Sequence, residues 1–226
     1  MRTFLGSRHR RCTMSSKETQ ARILATALKL FNAQGTGKVS PQRIATACGI
    51  SKGNLNYHYR HKKDLILDLF LRMVEEIDSR WKDDPVPPSM EQLSFLFFRE
   101  LRLMWRYRFF YRELVPLLRD DPVLRRRFGD LRRRRTRDGQ KFLDGLVARG
   151  VLRRLGHPDE FALLTSNTWL LTNHWLNFVE STGQMDEQAL HRGYLVMLNM
   201  IRPYATELGL RDFERLVDPR IEVEPT

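Results

Sequence analysis

Residues Gly49 to Ile66 read GISKGNLNYHYRHKKDLI. A glycine able to take positive φ is followed by Ser51, a preferred helix N-cap, so a helix should begin at this point. From Lys52 to His58 only Leu55 is aliphatic, which gives a short helix with one anchor and a largely polar surface. Upstream, Ser40-Pro41 marks another start, with serine as cap and proline in the first turn, where its missing N–H costs nothing. Ile44, Ala45 and Ala47 form the buried side of that second short helix, and Gly49 ends it. Two short helices joined by a glycine-containing turn are a helix-turn-helix. Ala45 is small where the helices should cross, and Ile50 and Leu55 can fill the space beneath.

The side chains left on the surface match a major groove. Asn54 and Asn56 suit an adenine edge, Lys52 a guanine or a phosphate, and Tyr57 a phosphate or a thymine methyl. Gly53 lets the backbone approach a sugar-phosphate chain, and Lys62 and Lys63, where the next helix begins, suit phosphates. Ser40, Gln42, Arg43, Ser51 and His58 complete the candidate interface, while Tyr59 is expected to pack inward. His58 and His61 lie three apart, but no carboxylate or cysteine is placed to complete a metal site, and no cofactor is expected. Charge agrees with a polyanionic partner. The net charge is +12, and residues 1–82 hold 16 Lys and Arg against 6 Asp and Glu. A local basic excess of this kind is the electrostatic footprint of nucleic acid or of an anionic membrane.

From Thr19 to about Leu67 the chain resembles the N-terminal domain of TetR/AcrR-family transcriptional regulators. The resemblance rests on Ile44-Ala45, Cys48-Gly49-Ile50-Ser51, Gly53-Asn54-Leu55-Asn56-Tyr57-His58-Tyr59 and Lys62-Lys63-Asp64-Leu65. Asn56 departs from the tyrosine most often found there, which affects base contacts rather than the fold. The resemblance implies an all-α homodimer. Each subunit would have a helix-turn-helix that reads operator DNA and a larger helical domain that binds a small molecule and dimerises, usually as a repressor.

The periodicity is helical almost throughout. Helices are expected from Ser16 to Ala33, through the two short helices, and from Lys62 to Trp81. Asp83 to Ser89, with three prolines in four positions, cannot continue a helix and marks a boundary. Four or five helices should follow: one from Ser89 to about Arg106 with a piece before Pro116, one from Asp121-Pro122 to Ala148, one from Asp159 to Ser181, and a long one from Asp186 to about Leu208, kinked at Pro203. The organisation read from this is a basic tail at 1–14, a DNA-binding domain at 15–62, a connecting helix and Pro-rich linker at 63–88, a ligand-binding and dimerisation domain at 89–217, and a tail at 218–226.

In the second domain, two charges interrupt apolar stripes. Glu100 falls among Leu93, Phe97, Met104, Tyr107 and Tyr111, and Arg135 among Leu124, Phe128, Leu131, Phe142 and Leu146. A charge on such a stripe is seldom buried unpaired. The two could pair with each other, reach solvent along their stems, or serve a ligand. In the ligand reading Arg135 takes an anionic group of an otherwise apolar molecule, and Phe97, Trp105, Tyr107, Phe128, Trp175 and Thr172 line the wall with Glu100. Thr165, Thr168 and Thr172 share a face and could line the pocket or bond back to their own helix. The arginines at 125–127 and 132–135 read mostly as a solvated face. The 159–181 helix is apolar nearly all round, and a two-fold four-helix interface shared with Leu190, Tyr194, Met197, Leu198 and Ile201 would cover it.

Other classes find little support. There is no Gly-rich phosphate loop and no nucleophile elbow, so an enzyme is not expected. No apolar run reaches the roughly 18 residues of a membrane span, and two cysteines, Cys12 and Cys48, make no disulfide framework, so the cytoplasm is expected. The start, MRTFLGSRHRRCTM, lacks the apolar stretch of a secretory signal and reads as a basic tail. The alternative in a different class is a helical small-molecule binder without specific DNA recognition.

Overall fold

A computed structural model describes residues 15–82, 87–154, 156–157 and 159–217. The basic tail with Cys12, most of the Pro-rich boundary and the C-terminal tail lie outside the described residues. Among those described, the only β pairing is one isolated antiparallel bridge between Leu152 and Ala205, and the rest of the regular structure is helical. The chain divides into two compact units, Met1–Ile66 and Leu67–Thr226.

The first unit holds α1 (Ser16–Gln34), α2 (Pro41–Cys48), α3 (Lys52–His58) and the start of α4 (Lys62–Lys82). Ser15 caps α1 in a reciprocal box with Glu18, as the sequence pattern predicts. Gly35, at φ 76°, ends α1 in a backbone conformation closed to L side chains. Ile23, Leu24, Ala27 and Phe31 of α1 meet Val39, Ile44, Ala45 and Leu55, all but inaccessible to solvent. Cys48 is buried at the end of α2, a free thiol whose Sγ lies 3.9 Å from the Arg22 carbonyl oxygen.

The second unit contains the remainder of α4, then α5 (Met90–Arg106), α6 (Arg108–Arg112), α7 (Leu114–Asp120), α8 (Pro122–Ala148), α9 (Glu160–Glu180), α10 (Glu187–Ile201), a 3-10 turn (Arg202–Tyr204) and α11 (Glu207–Val217). Seven α-helices thus follow the boundary where four or five were expected. The piece after α5 is two helices: the chain turns at Glu113, and Pro116 sits in the first turn of α7, where proline is tolerated. The expected long last helix is also broken. Pro203 cannot donate into an α-helical ladder, so α10 ends at Ile201 and the chain passes through the 3-10 turn into α11.

Helix α5 packs against α9, α10 and α11, and α8 packs against α7 and α9. A buried hydrogen bond of 2.6 Å joins the Ser94 and Tyr194 hydroxyls across α5 and α10. Trp175 on α9 donates to the Ala189 carbonyl of α10 at 3.1 Å. Gly193 makes that approach possible, since a Cβ there would lie 2.5 Å from the Trp175 indole nitrogen. The corner between α8 and α9 is clipped to the corner between the 3-10 turn and α11. Arg153 N–H donates to the Tyr204 carbonyl at 2.8 Å, and Thr206 N–H to the Val151 carbonyl at 3.0 Å.

Candidate nucleic-acid interface and ligand pocket

The turn between α2 and α3 is built by Gly49, which takes the left-handed conformation at φ 66°, ψ 33°. Its neighbour Ile50 donates back to the Ala45 carbonyl at 3.0 Å, so the α2 carbonyls are satisfied as the chain reverses. Ser40 and Ser51 cap the two helices, accepting from the N–H groups of Arg43 (3.2 Å) and Asn54 (3.1 Å). Both serines, Gln42, Arg43, Lys52, Gly53, Asn54 and Asn56 are exposed together. Gln42 reaches Thr46 Oγ1 at 3.4 Å, within its own helix. Tyr57 is 82% exposed and meets His58 edge to face at 5.2 Å between ring centroids, whereas Tyr59 is buried at 6%. The two tyrosines therefore divide as their alternation suggests, one outward and one into the core.

The basic pair at the start of α4 also divides. Lys63 is exposed, but Lys62 donates to the Thr36 carbonyl at 2.7 Å and ties α4 to the loop after α1. Lys62 is thus a structural clasp as well as a cation, which spacing alone could not show.

In the second unit, a pocket of about 690 Å³, partly open to solvent, lies among α5, α8, α9 and the end of α10. Glu100 and Arg135, singled out as charges on apolar stripes, both line it, with Phe97 and Thr172. Thr165 and Thr168 line it too, yet their hydroxyls also bond back to their own helix, so both open readings of the threonines hold at once. Trp105, Tyr107, Phe128 and Trp175 are not brought to the lining. Trp105 lies under the Arg108 guanidinium, and Tyr107 donates to Glu76 Oε1 at 2.7 Å. Phe128 packs with Phe70, Phe110 and the far side of Trp169, and Trp175 faces α10. Helical periodicity identified them as inward-facing without saying which inward space they face. Trp169, Thr136 and Gly139 line the pocket and were not anticipated there. Thr136 and Gly139 have a legible signal, a small residue three positions on from a hydroxyl and next to Arg135. A Cβ on Gly139 would come within 3.3 Å of the Thr165 methyl.

The electrostatics of the pocket follow from its partners. The Arg135 side chain is only 9% exposed and is hydrogen-bonded to Asp78 of α4, with Asp138 at 3.7 Å. Arg134 reaches the same Asp78 at 3.3 Å. Arg135 is therefore already countered by carboxylates, and an anionic ligand would have to displace them. Burial holds the Glu100 carboxyl above the usual carboxylate range, opposed in part by the Arg135 charge. Burial, and then the charge of Glu100, push the nearby Tyr111 hydroxyl upward, so it stays protonated. Of the remaining arginines on α8, those at 125–127, 132 and 133 are exposed, Arg133 pairing with Asp130.

The residues expected to join a dimer interface from the last helix lie elsewhere. Leu190, Tyr194, Met197, Leu198 and Ile201 are each no more than 2% exposed, facing α5 and α9 inside the unit. The apolar surface that this chain leaves open is Leu163 (62%), Leu170 (57%) and Phe178 (64%) on α9, with Val196 on α10.

A profile for bacterial regulatory proteins of the tetR family matches residues 23–69, and the TetR profile, described as a bacterial transcriptional repressor, matches residues 72–213. The chain belongs to the TetR family. Among curated relatives, the HTH-type transcriptional regulator AcrR of Shigella flexneri is 34% identical over 61 residues, 27% of this chain and 28% of that protein. The chain thus matches little more than a quarter of the length of this relative. A TetR-family transcriptional regulator from Marinobacter aquaeolei VT8 superimposes with a TM-score of 0.78 at 28% identity, over 90% of this chain and 99% of that one. A transcriptional regulator from Saccharomonospora viridis, solved in complex with choline, shares the fold at 19% identity and a TM-score of 0.68, over 82% of this chain and 96% of that one. As a TetR-family member the chain is an all-α, DNA-binding transcriptional regulator, not an enzyme. Among the described residues no helix is long and apolar enough to cross a membrane.

Proposed function

We propose that this TetR-family chain is a dimeric, cytoplasmic repressor that reads one operator half-site per subunit and is released by a small, largely apolar ligand. The observation that carries the DNA reading is the exposed row Lys52, Asn54, Asn56 and Tyr57 on a helix anchored only by buried Leu55. Asparagines supply paired donor and acceptor to adenine, while Lys52, Arg43 and Lys63 meet phosphates. In this reading residues 15–62 form the DNA-binding domain, 63–88 the connecting helix and linker, and 89–217 the ligand-binding and dimerisation domain.

The mostly apolar lining around Glu100, Phe97 and Trp169 supports a ligand with an apolar body. Arg135 supports a route for release. Its partner Asp78 belongs to α4, so a ligand that disturbs the Arg135–Asp78 pair acts directly on that helix. The exposed Leu163, Leu170 and Phe178 support a two-fold contact through α9.

Fluorescence anisotropy on duplex from upstream of the protein's own gene, beside a scrambled duplex and a salt series, tests the central claim. Tight, sequence-dependent binding that falls linearly in log K against log salt is the expected result. Equal, weak binding to both duplexes would favour a small-molecule binder without specific DNA recognition.

A further inference from the structure

The polar lining of the pocket is biased toward acceptors. Four threonines contribute to it, and each hydroxyl has a single proton to donate. All four protons are directed at helix carbonyls: Thr136 to Arg132 (3.0 Å), Thr165 to Phe161 (3.0 Å), Thr168 to Leu164 (3.0 Å) and Thr172 to Thr168 (2.9 Å). What these hydroxyls can still offer a ligand is oxygen lone pairs. The fifth polar group, Glu100, is a carboxyl. The cationic side chain in the lining, Arg135, is held by Asp78 with Asp138 beside it. The remaining wall is hydrocarbon and aromatic, including Phe97, Phe142 and Trp169.

A ligand complementary to such a lining brings donors and positive charge on an apolar body. We propose that the pocket selects a lipophilic amine in its protonated form, its ammonium seated against Glu100 and its body against Phe97 and Trp169. This rests on the reading of the pocket as the effector site. A carboxylate-bearing ligand would meet Glu100 and the hydroxyl lone pairs, and would have to take Arg135 from Asp78. A neutral alcohol could donate one hydrogen bond but would leave the carboxyl without a counter-charge.

The groups facing Glu100 fix the sign of the pH dependence. Arg135 approaches from α8, with Asp78 of α4 and Asp138 of α8 behind it, and the Tyr111 hydroxyl interacts from α6. Helix α9 adds no charged side chain to the lining, and α10 contributes Ile201. Burial favours the protonated carboxyl in the empty pocket, and an entering ammonium favours the carboxylate. Amine binding therefore expels a proton, and acid opposes it.

Isothermal titration of the full chain with phenylbutylamine, phenylbutanol and phenylbutanoate tests this. The amine should bind tightest, by about tenfold or more, as a desolvated charge-assisted contact requires. Its affinity should fall as the solution is taken from about pH 8 to about pH 5. Glu100→Gln, whose fold is checked by thermal melting, should abolish both the pH dependence and the advantage over the alcohol. Thr168→Val, of similar shape, should weaken the amine more than the alcohol. Equal affinity for amine and alcohol, a preference for phenylbutanoate, a pH dependence that survives Glu100→Gln, or no measurable heat from any of the three overturns the proposal. The same wild-type preparation is run on the upstream and scrambled duplexes. Selective DNA binding with no amine preference sinks only the amine assignment, whereas loss of both sinks the ligand-released repressor reading as well.

Discussion

Asn54 and Glu100 illustrate two opposite uses of a polar side chain. Asn54 is exposed on α3, where its backbone N–H is capped by Ser51 and its amide faces outward. Asn54→Ala should cost about 1–3 kcal/mol in binding to the preferred duplex and leave folding stability within about 0.5 kcal/mol. Anisotropy and urea denaturation together check the pair of outcomes, since a fold defect would move the second. Glu100 is the reverse case, a carboxyl whose folded-state pKa lies above its unfolded value because burial outweighs the pull of Arg135. Its contribution to stability is full below the unfolded pKa and is lost as pH rises through the raised one. Urea denaturation of the unliganded protein should show that loss, and Glu100→Gln should flatten it. Both side chains were identified from spacing alone, because each interrupts a pattern. Their partners were not, since Asp78 lies 57 positions from Arg135 and no local period connects them.

At the level of elements, the boundaries that read well from sequence were those with chemistry at both ends. Helix α8 begins at Asp121-Pro122, with Asp121 Oδ1 accepting from the N–H groups of Val123 and Leu124, and it runs to Ala148 as its pattern predicts. The first three helices carry serine caps and glycine or aromatic ends, and they too fall where expected. The misread stretch was 186–208, where apolar periodicity continues across Pro203 because α11 repeats a helical pattern after the break. Periodicity reports which face is buried, not whether one helix or two bury it. The packing of α9 on α10 depends on a residue with no pattern at all. A side chain at Gly193 would drive Trp175 away from the Ala189 carbonyl, so Gly193→Ala should destabilise the protein by about 1–3 kcal/mol, the usual range for overpacking. The change should appear as a lower urea midpoint, with a blue or red displacement of indole emission marking the altered Trp175 environment.

On the scale of the whole molecule, the second unit leaves apolar surface on α9 that its own helices do not cover. Leu170→Glu combined with Phe178→Glu should shift sedimentation from dimer to monomer and weaken binding to a two-half-site duplex more than to a single half-site. Retention of the dimer would place the contact elsewhere. The clip between the corner after α8 and the corner before α11 joins backbone about 50 residues apart in sequence, through Arg153, Thr206 and the Leu152–Ala205 bridge. Thr206 reinforces it, its hydroxyl donating to the Gly150 carbonyl at 2.6 Å. The peptide bond after exposed Arg154 lies just beyond this clip, on the way to α9. A single tryptic cut there should therefore sever the chain without separating it: the fragment ending at Arg154 would stay held to the one carrying α9, α10 and α11. Native gels should show one species and denaturing gels two, which makes Arg154 a natural place to split this protein into complementing halves.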